Sequence, residues 1–140
     1  MIDHVSIAVS NLARSAAFYE AVLAPLGLVK LVEFAPARVG FGKKYPEFWL
    51  NLREDLAPQP ETTGIHICLR APSEDAVRQF HAAALSQGGK TAGAPAPRRA
   101  AFTTYFGAFI FDADGNKIEA VYFAQKLGET AGTAGAAKLP

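Results

Sequence analysis

A chain of 140 residues, half of them hydrophobic, is long enough to bury one compact core. Its formal net charge is +1, and its 14 lysines and arginines are scattered apart from the pairs Lys43-Lys44 and Arg98-Arg99, which excludes the basic stripe that a nucleic-acid backbone requires. No run approaches the ~20 apolar residues of a membrane span, and the single cysteine, Cys68, excludes an internal disulfide framework and a cysteine-cluster zinc site; a reducing, cytoplasmic setting is expected.

In chain order, an alternating strand pattern around His4 to Val9 leads into a helix that ends at Gly27, with Ser10 or Asn11 as its N-cap. Strands are expected over Leu28–Phe34, Ala37–Phe41 and Phe48–Arg53. The stretch Glu54–Thr63, with Pro58 and Pro60 among polar residues, has the composition of a linker. Beyond it the pattern repeats. Sliding the chain against itself by the 62 residues that separate His4 from His66 also places Val5 on Ile67, Ile7 on Leu69, Phe18 on Phe80, Leu23 on Leu85 and Gly27 on Gly89. A second helix therefore begins at a Ser73 cap and ends at Gly89, with strands over Lys90–Gly93, Thr104–Asp112 and Lys117–Phe123. Ala94–Ala101, with Pro95 and Pro97, is expected to be a loop of a length that is often functional. The α+β order is βαβββ twice, in modules 1–57 and 62–123 of one domain, 1–123. Periodicity then disappears, and 124–140 is expected to be a mobile tail.

Strand alternation sorts the first strand of each module into two faces. Val5, Ile7 and Val9 share one face, as do Ile67 and Leu69; these should pack beneath the helices. The opposite face carries His4, Ser6 and Ala8 in one module and His66, Cys68 and Arg70 in the other, a polar or small set that an ordinary core does not select. Glu119 on the final strand needs a partner. Two imidazoles and a carboxylate on facing sheets would make a facial triad with open coordination positions, suited to Fe(II), Mn(II), Zn(II) or Ni(II). Taken singly, each has a plainer reading: a half-buried, hydrogen-bonded histidine, or a Glu119 salt bridge with Lys117 or an arginine. The recurrence of histidine at one module position, with a carboxylate on another strand, favours the shared site. His81 lies where Tyr19 lies in the first module, so it reads as a helix-surface or packing residue.

Other side chains are candidates for shaping a pocket. Tyr105 and Phe106 open a strand whose Gly107 and Ala108 leave room for a ligand, and Arg98 or Arg99 could meet an anionic group. Solvated arginines and core aromatics are the plainer alternative. Tyr45 and Trp49 fit an aromatic wall or a core equally well. Asp112-Ala113-Asp114-Gly115-Asn116 lacks the ligand run of a calcium loop and reads as a tight turn.

The segments His4 to Val9 followed by Phe18-Tyr19, then Gly64 to Ile67, and Phe111 to Glu119 resemble the vicinal oxygen chelate superfamily, which includes glyoxalase I, extradiol dioxygenases, and bleomycin and fosfomycin resistance proteins. The resemblance spans nearly all of residues 1–123. It implies a cupped mixed sheet around a central cleft, a divalent metal ion held by His4, His66 and Glu119 with Glu119 catalytic, a small substrate with vicinal oxygens, and a homodimer. A fourth family position falls within Phe48-Trp49-Leu50-Asn51-Leu52, where glyoxalase I-like members carry a glutamate; here Trp49 or Asn51 stands there, as substrate-lining residues alongside Arg98, Tyr105 and Phe106. The implied activities are lyase or isomerase work, or extradiol-type oxygenation, and the competing function is a metal-free drug-binding protein. A third reading is a structural module whose histidines merely pack.

Overall fold

The computed structural model describes residues 1–61, 63–100 and 103–124. Apart from Ala124, the expected tail lies outside the described residues, as does Ala101 at the end of the expected loop. The first module comprises β1 (Val5–Val9), α1 (Leu12–Leu23), β2 (Val29–Phe34), β3 (Arg38–Gly42) and β4 (Phe48–Leu52). The second comprises β5 (Ile67–Arg70), α2 (Glu74–Ser86), β6 (Lys90–Arg99), β7 (Thr104–Phe111) and β8 (Lys117–Tyr122). Each module forms one four-stranded mixed sheet, ordered β1-β4-β3-β2 and β5-β8-β7-β6, with the first strand parallel to the last and the rest antiparallel. No helix among the described residues is long and apolar enough to cross a membrane.

Local chemistry explains where the helices start and stop. Asn11 caps α1, its side chain accepting from the Arg14 amide at 2.9 Å, and Ser73 caps α2 by accepting from Ala76 at 3.1 Å. Ser10 instead donates its hydroxyl to Asp114. A short 3-10 turn, Ala24–Leu26, follows α1, and Gly27 leaves it with a left-handed φ of 80°. In the second module the left-handed residue is Gly88, at 85°, rather than the expected Gly89. Gly89 serves packing instead: a Cβ there would stand 2.9 Å from the Ala84 carbonyl, the Phe111 carbonyl and the Phe18 ring.

The expected loop over Ala94–Ala101 is a correction. Residues through Arg99 continue β6, paired with β7 across two register shifts, one between Thr91 and Gly93 and one between Gly93 and Ala96. Two prolines are tolerated because β6 is the edge strand of its sheet, so their missing N–H groups break no interior ladder.

The alternation predicted for the first strands holds. Ile7 and Val9 are buried while Ser6 is exposed, and both helices lie on the buried side of their own sheets. α1 and α2 also pack against each other, so one continuous core joins the modules, with Phe18, Tyr19 and Val22 of α1 and Val77, Phe80 and Ala84 of α2 at its centre. Burying each of the larger apolar side chains stabilises the fold by roughly 1.5–3 kcal/mol. With both helices committed to this core, the opposite face of each sheet is left uncovered within the chain.

The Asp112–Asn116 turn is more than a turn. Asp112 Oδ1 accepts from the amides of Asp114 and Asn116 at 2.9 and 2.8 Å, while Oδ2 accepts from Asn116 Nδ2 and from the Tyr19 hydroxyl, both at 2.8 Å. Asp114 takes a hydrogen bond from the Ser10 hydroxyl at 2.5 Å, and Asn116 Nδ2 reaches the Ala8 carbonyl at 3.0 Å. Three side chains of one short turn thus tie the second module to β1 and α1 of the first. Gly115, at φ 87°, lets the linker pass over it, since a Cβ would meet the Gln59 carbonyl at 2.5 Å.

Candidate functional site

The uncovered face of the second sheet holds the stronger half of the site. Parallel pairing sets Cys68 opposite Glu119, and antiparallel pairing sets Phe109 on its other side. Glu119 is only 4% exposed, and its Oε2 lies 3.2 Å from His66 Nε2. Its other oxygen, Oε1, is buried without a hydrogen-bond partner among the described residues. Such an atom forfeits its hydration, at a cost of about 1–3 kcal/mol or more for a charged group. Neither Lys117 nor an arginine pairs with Glu119; the Lys117 ammonium lies instead 5.0 Å from the centre of the Phe109 ring, whose edge-on neighbour is His66.

Burial pushes the Cys68 thiol up to about 12, with the Glu119 carboxylate adding to the effect, although the residue as a whole is exposed. The Tyr105 hydroxyl is raised for the same two reasons in the same order. Tyr105 lies flat along the sheet because Gly107 offers no Cβ, which would come within 2.8 Å of its ring, and it stacks on Phe123. Phe106, one residue on, points the other way: it is 7% exposed, belongs to the core and carries the Arg78 guanidinium of α2 over its ring at 4.5 Å. The two rings leave β7 in different directions, yet both border a small depression with Glu74, Pro97 and Tyr122. Arg98 sits on a strand rather than a loop. Its Nε donates to the Gly107 carbonyl at 3.2 Å and its Nη2 to the Ala94 carbonyl at 3.0 Å, so much of its donor capacity is spent on backbone.

The uncovered face of the first sheet forms the other half. His4 is exposed, with Nδ1 2.7 Å from Asp3 Oδ2, and lines an open depression with Ser6, Phe34, Arg38, Trp49 and Asn51. Register decides which residue occupies the fourth family position. Ser6 and Cys68 are equivalent by the repeat; Ser6 pairs with Trp49 and Cys68 with Glu119, so Trp49 is the counterpart of Glu119, and Asn51 lies two residues beyond. Sequence reading missed Phe34 and Arg38. Their signal was the Ala35-Pro36-Ala37 turn, which pairs Phe34 with Arg38 across β2 and β3.

His66 and Glu119 are together; His4 is not with them in one chain. Among the described residues no three histidine, cysteine, aspartate or glutamate side chains are grouped to hold a metal ion. His66 instead lines a cleft between β1 and the second module with Ser6, Ala8 and Lys117. His81, as its position predicted, is a packing residue: it is 9% exposed, with Nε2 2.8 Å from Thr91 Oγ1, and burial lowers its pKa.

Comparison with known proteins agrees with this architecture. Residues 1–120 match the family model of the Glyoxalase/Bleomycin resistance protein/Dioxygenase superfamily. A glyoxalase/bleomycin resistance protein from Albidiferax ferrireducens superposes with a TM-score of 0.74 at 29% identity, covering 85% of this chain and 96% of that one. At fold level only, a lactoylglutathione lyase from Agrobacterium tumefaciens matches at 17% identity and a TM-score of 0.59, covering 86% and 92%. A fosfomycin resistance protein from Listeria monocytogenes does so at 15% and 0.61, covering 86% and 91%. A search of curated proteins finds no relative. Two βαβββ modules, their facial positions and the match over residues 1–120 agree: the chain belongs to the glyoxalase/bleomycin resistance protein/dioxygenase superfamily.

Proposed function

We propose that this protein is a divalent-metal-dependent enzyme acting on a small substrate with vicinal oxygens, and that its working site is assembled from two copies of the chain, His4 of one meeting His66 and Glu119 of the other. The observation that carries the reading is Glu119: a carboxylate buried beside an imidazole, with one oxygen that meets no donor in hydrogen-bond geometry among the described residues, is a donor set that a cation would complete. The uncovered sheet faces support the pairing, because each bears only part of the triad. His66 and Glu119 would hold the ion with His4, leaving positions open. An iron, manganese, zinc or nickel ion there would supply Lewis acidity toward the substrate's two oxygens. Trp49, where a glutamate ligand stands in glyoxalase I-like members, contributes a wall rather than a donor. Glu119, the carboxylate beside His66, would accept a substrate proton in lyase- or isomerase-type chemistry, while oxygenation is the alternative that iron would favour. One unpaired cysteine suits a reducing compartment such as the cytoplasm.

A symmetric dimer gives a decisive test. His4→Ala and His66→Ala variants should each lose metal, measured by elemental analysis of tag-free protein. When the two are unfolded together, refolded and reconstituted, mixed dimers regain one intact site each, so metal returns to about a quarter of all sites by random pairing. Failure of the wild type to bind any of the four ions refutes the metalloenzyme reading and leaves a ligand-binding protein, a reading that the aromatic face around Trp49 favours. Metal binding by the wild type with no recovery in the mixture refutes the shared site.

A further inference from the structure

The first-module face carries an arginine that the metal reading leaves idle. Arg38 lies with its guanidinium carbon 5.0 Å from the centre of the Phe34 ring and 5.6 Å from that of Trp49. The two rings are nearly parallel, 16° apart, with centres separated by 6.4 Å. Gly40, between them on β3, makes this possible, because a Cβ there would stand 3.0 Å from the Trp49 ring and 3.0 Å from Val32. Three strands therefore build one platform: Phe34 from β2, Arg38 and the bare Gly40 from β3, and Trp49 from β4.

The platform is charged and unsatisfied. Among the described residues Arg38 makes no ion pair and no hydrogen bond, and ring contacts leave its N–H donors free. The nearby acid, Asp3, is engaged with His4. Asn51 pairs with Arg38 across β3 and β4 and adds a neutral amide beside it. Phe34 is 51% exposed, so its outer ring face is open to stacking. The depression in front of these residues measures about 580 Å3, within the usual range for small-molecule sites.

We propose that this platform is the specificity subsite of the protein, and that it takes a flat, aromatic or conjugated carboxylate: the guanidinium fork binds the carboxylate while Phe34 and Trp49 stack the attached ring. The inference names the substrate class of the site proposed above and rests on that reading for its place in catalysis, whereas ligand binding by the platform stands on first-module residues alone. Arg rather than Lys suits the task, since a planar fork already positioned against two rings presents paired donors to a planar anion at little further ordering cost.

Trp49 is the only tryptophan in the chain, so its indole N–H resonance is a built-in reporter. Chelator-treated, isotope-labelled full-length protein is titrated with benzoate, with benzyl alcohol as a neutral analogue and acetate as a carboxylate lacking the ring. Benzoate should shift the indole resonance saturably, and both analogues should bind at least about tenfold more weakly, the scale expected when a charge-assisted bond or a stacked ring is lost. Arg38→Gln should weaken benzoate by about tenfold and leave benzyl alcohol unchanged, with thermal melting verifying the fold of the variant. Equal binding of benzoate and benzyl alcohol, undiminished benzoate affinity in Arg38→Gln, or no saturable shift overturns the subsite. Reconstituting the same stripped protein with each of the four candidate ions separates the two readings: benzoate binding with no metal uptake upholds the subsite and sinks the metalloenzyme, and metal uptake without benzoate binding does the reverse.

Discussion

Replacing Tyr19 with phenylalanine isolates one of the bonds that tie the modules together. The ring is fully buried between Phe18 at 5.0 Å and Phe48 at 5.2 Å, contacts that phenylalanine keeps, so the substitution removes only the hydroxyl that donates to Asp112 Oδ2. A hydrogen bond to a charged group contributes about 1.5–3 kcal/mol, and since Asn116 Nδ2 still donates to the same oxygen, the lower value of about 1.5 kcal/mol applies. For a chain of this length that lowers the melting temperature by about 5 °C. The loss also has a pH signature. Burial raises the Asp112 pKa above 3.8, opposed by hydrogen bonds from Asn116, Tyr19 and the Asp114 amide. A raised carboxyl pKa contributes stability that is complete below the unfolded value near 3.8 and is lost as the pH rises through the folded value. Tyr19 offsets that loss by favouring the carboxylate. The penalty of Tyr19→Phe is therefore largest at pH 7 and shrinks as the pH falls toward 3.8. Urea unfolding at pH 7 and at pH 4 measures both; a loss under about 0.5 kcal/mol at pH 7, or one independent of pH, refutes the role given to this bond.

Two further outcomes follow from buried titratable groups. With its thiol near 12, Cys68 should react with iodoacetamide at pH 8 roughly 50-fold more slowly than in the urea-unfolded chain, allowing for the greater intrinsic reactivity of a basic thiolate, and Glu119→Gln should speed it; alkylation at the unfolded rate would show that the thiol is not suppressed. His81 has a pKa lowered by burial, so its neutral form contributes stability that is complete above 6.5 and lost as the pH falls through the lowered value. Melting temperatures from pH 7.5 down to 5 should therefore fall less steeply in His81→Gln than in the wild type; parallel profiles would remove His81 from the account.

Much of this protein is written in local sequence. The repeat from His4 to His66, the caps at Asn11 and Ser73 and the alternation of Val5, Ile7 and Val9 against His4, Ser6 and Ala8 depend on neighbours within a few residues, so two βαβββ modules and the polar face of each could be read directly. Strand ends were less legible: β6 runs through Pro95 and Pro97 because it lies at a sheet edge, and edge position is a property of strand order that no local pattern carries. The same limit hid the platform and the clamp. Arg38 meets Phe34 and Trp49 only through register across three strands, and the turn at Asp112 to Asn116 looked self-contained until its partners, Ser10, Tyr19 and Ala8, proved to be about a hundred residues away. Sequence determined which side chains share a face, because alternation and helical period are local. Tertiary structure alone decided which faces the helices cover, that Glu119 meets His66 with an oxygen to spare, and that His4 stands apart from both, because those depend on how two sheets pack around one core.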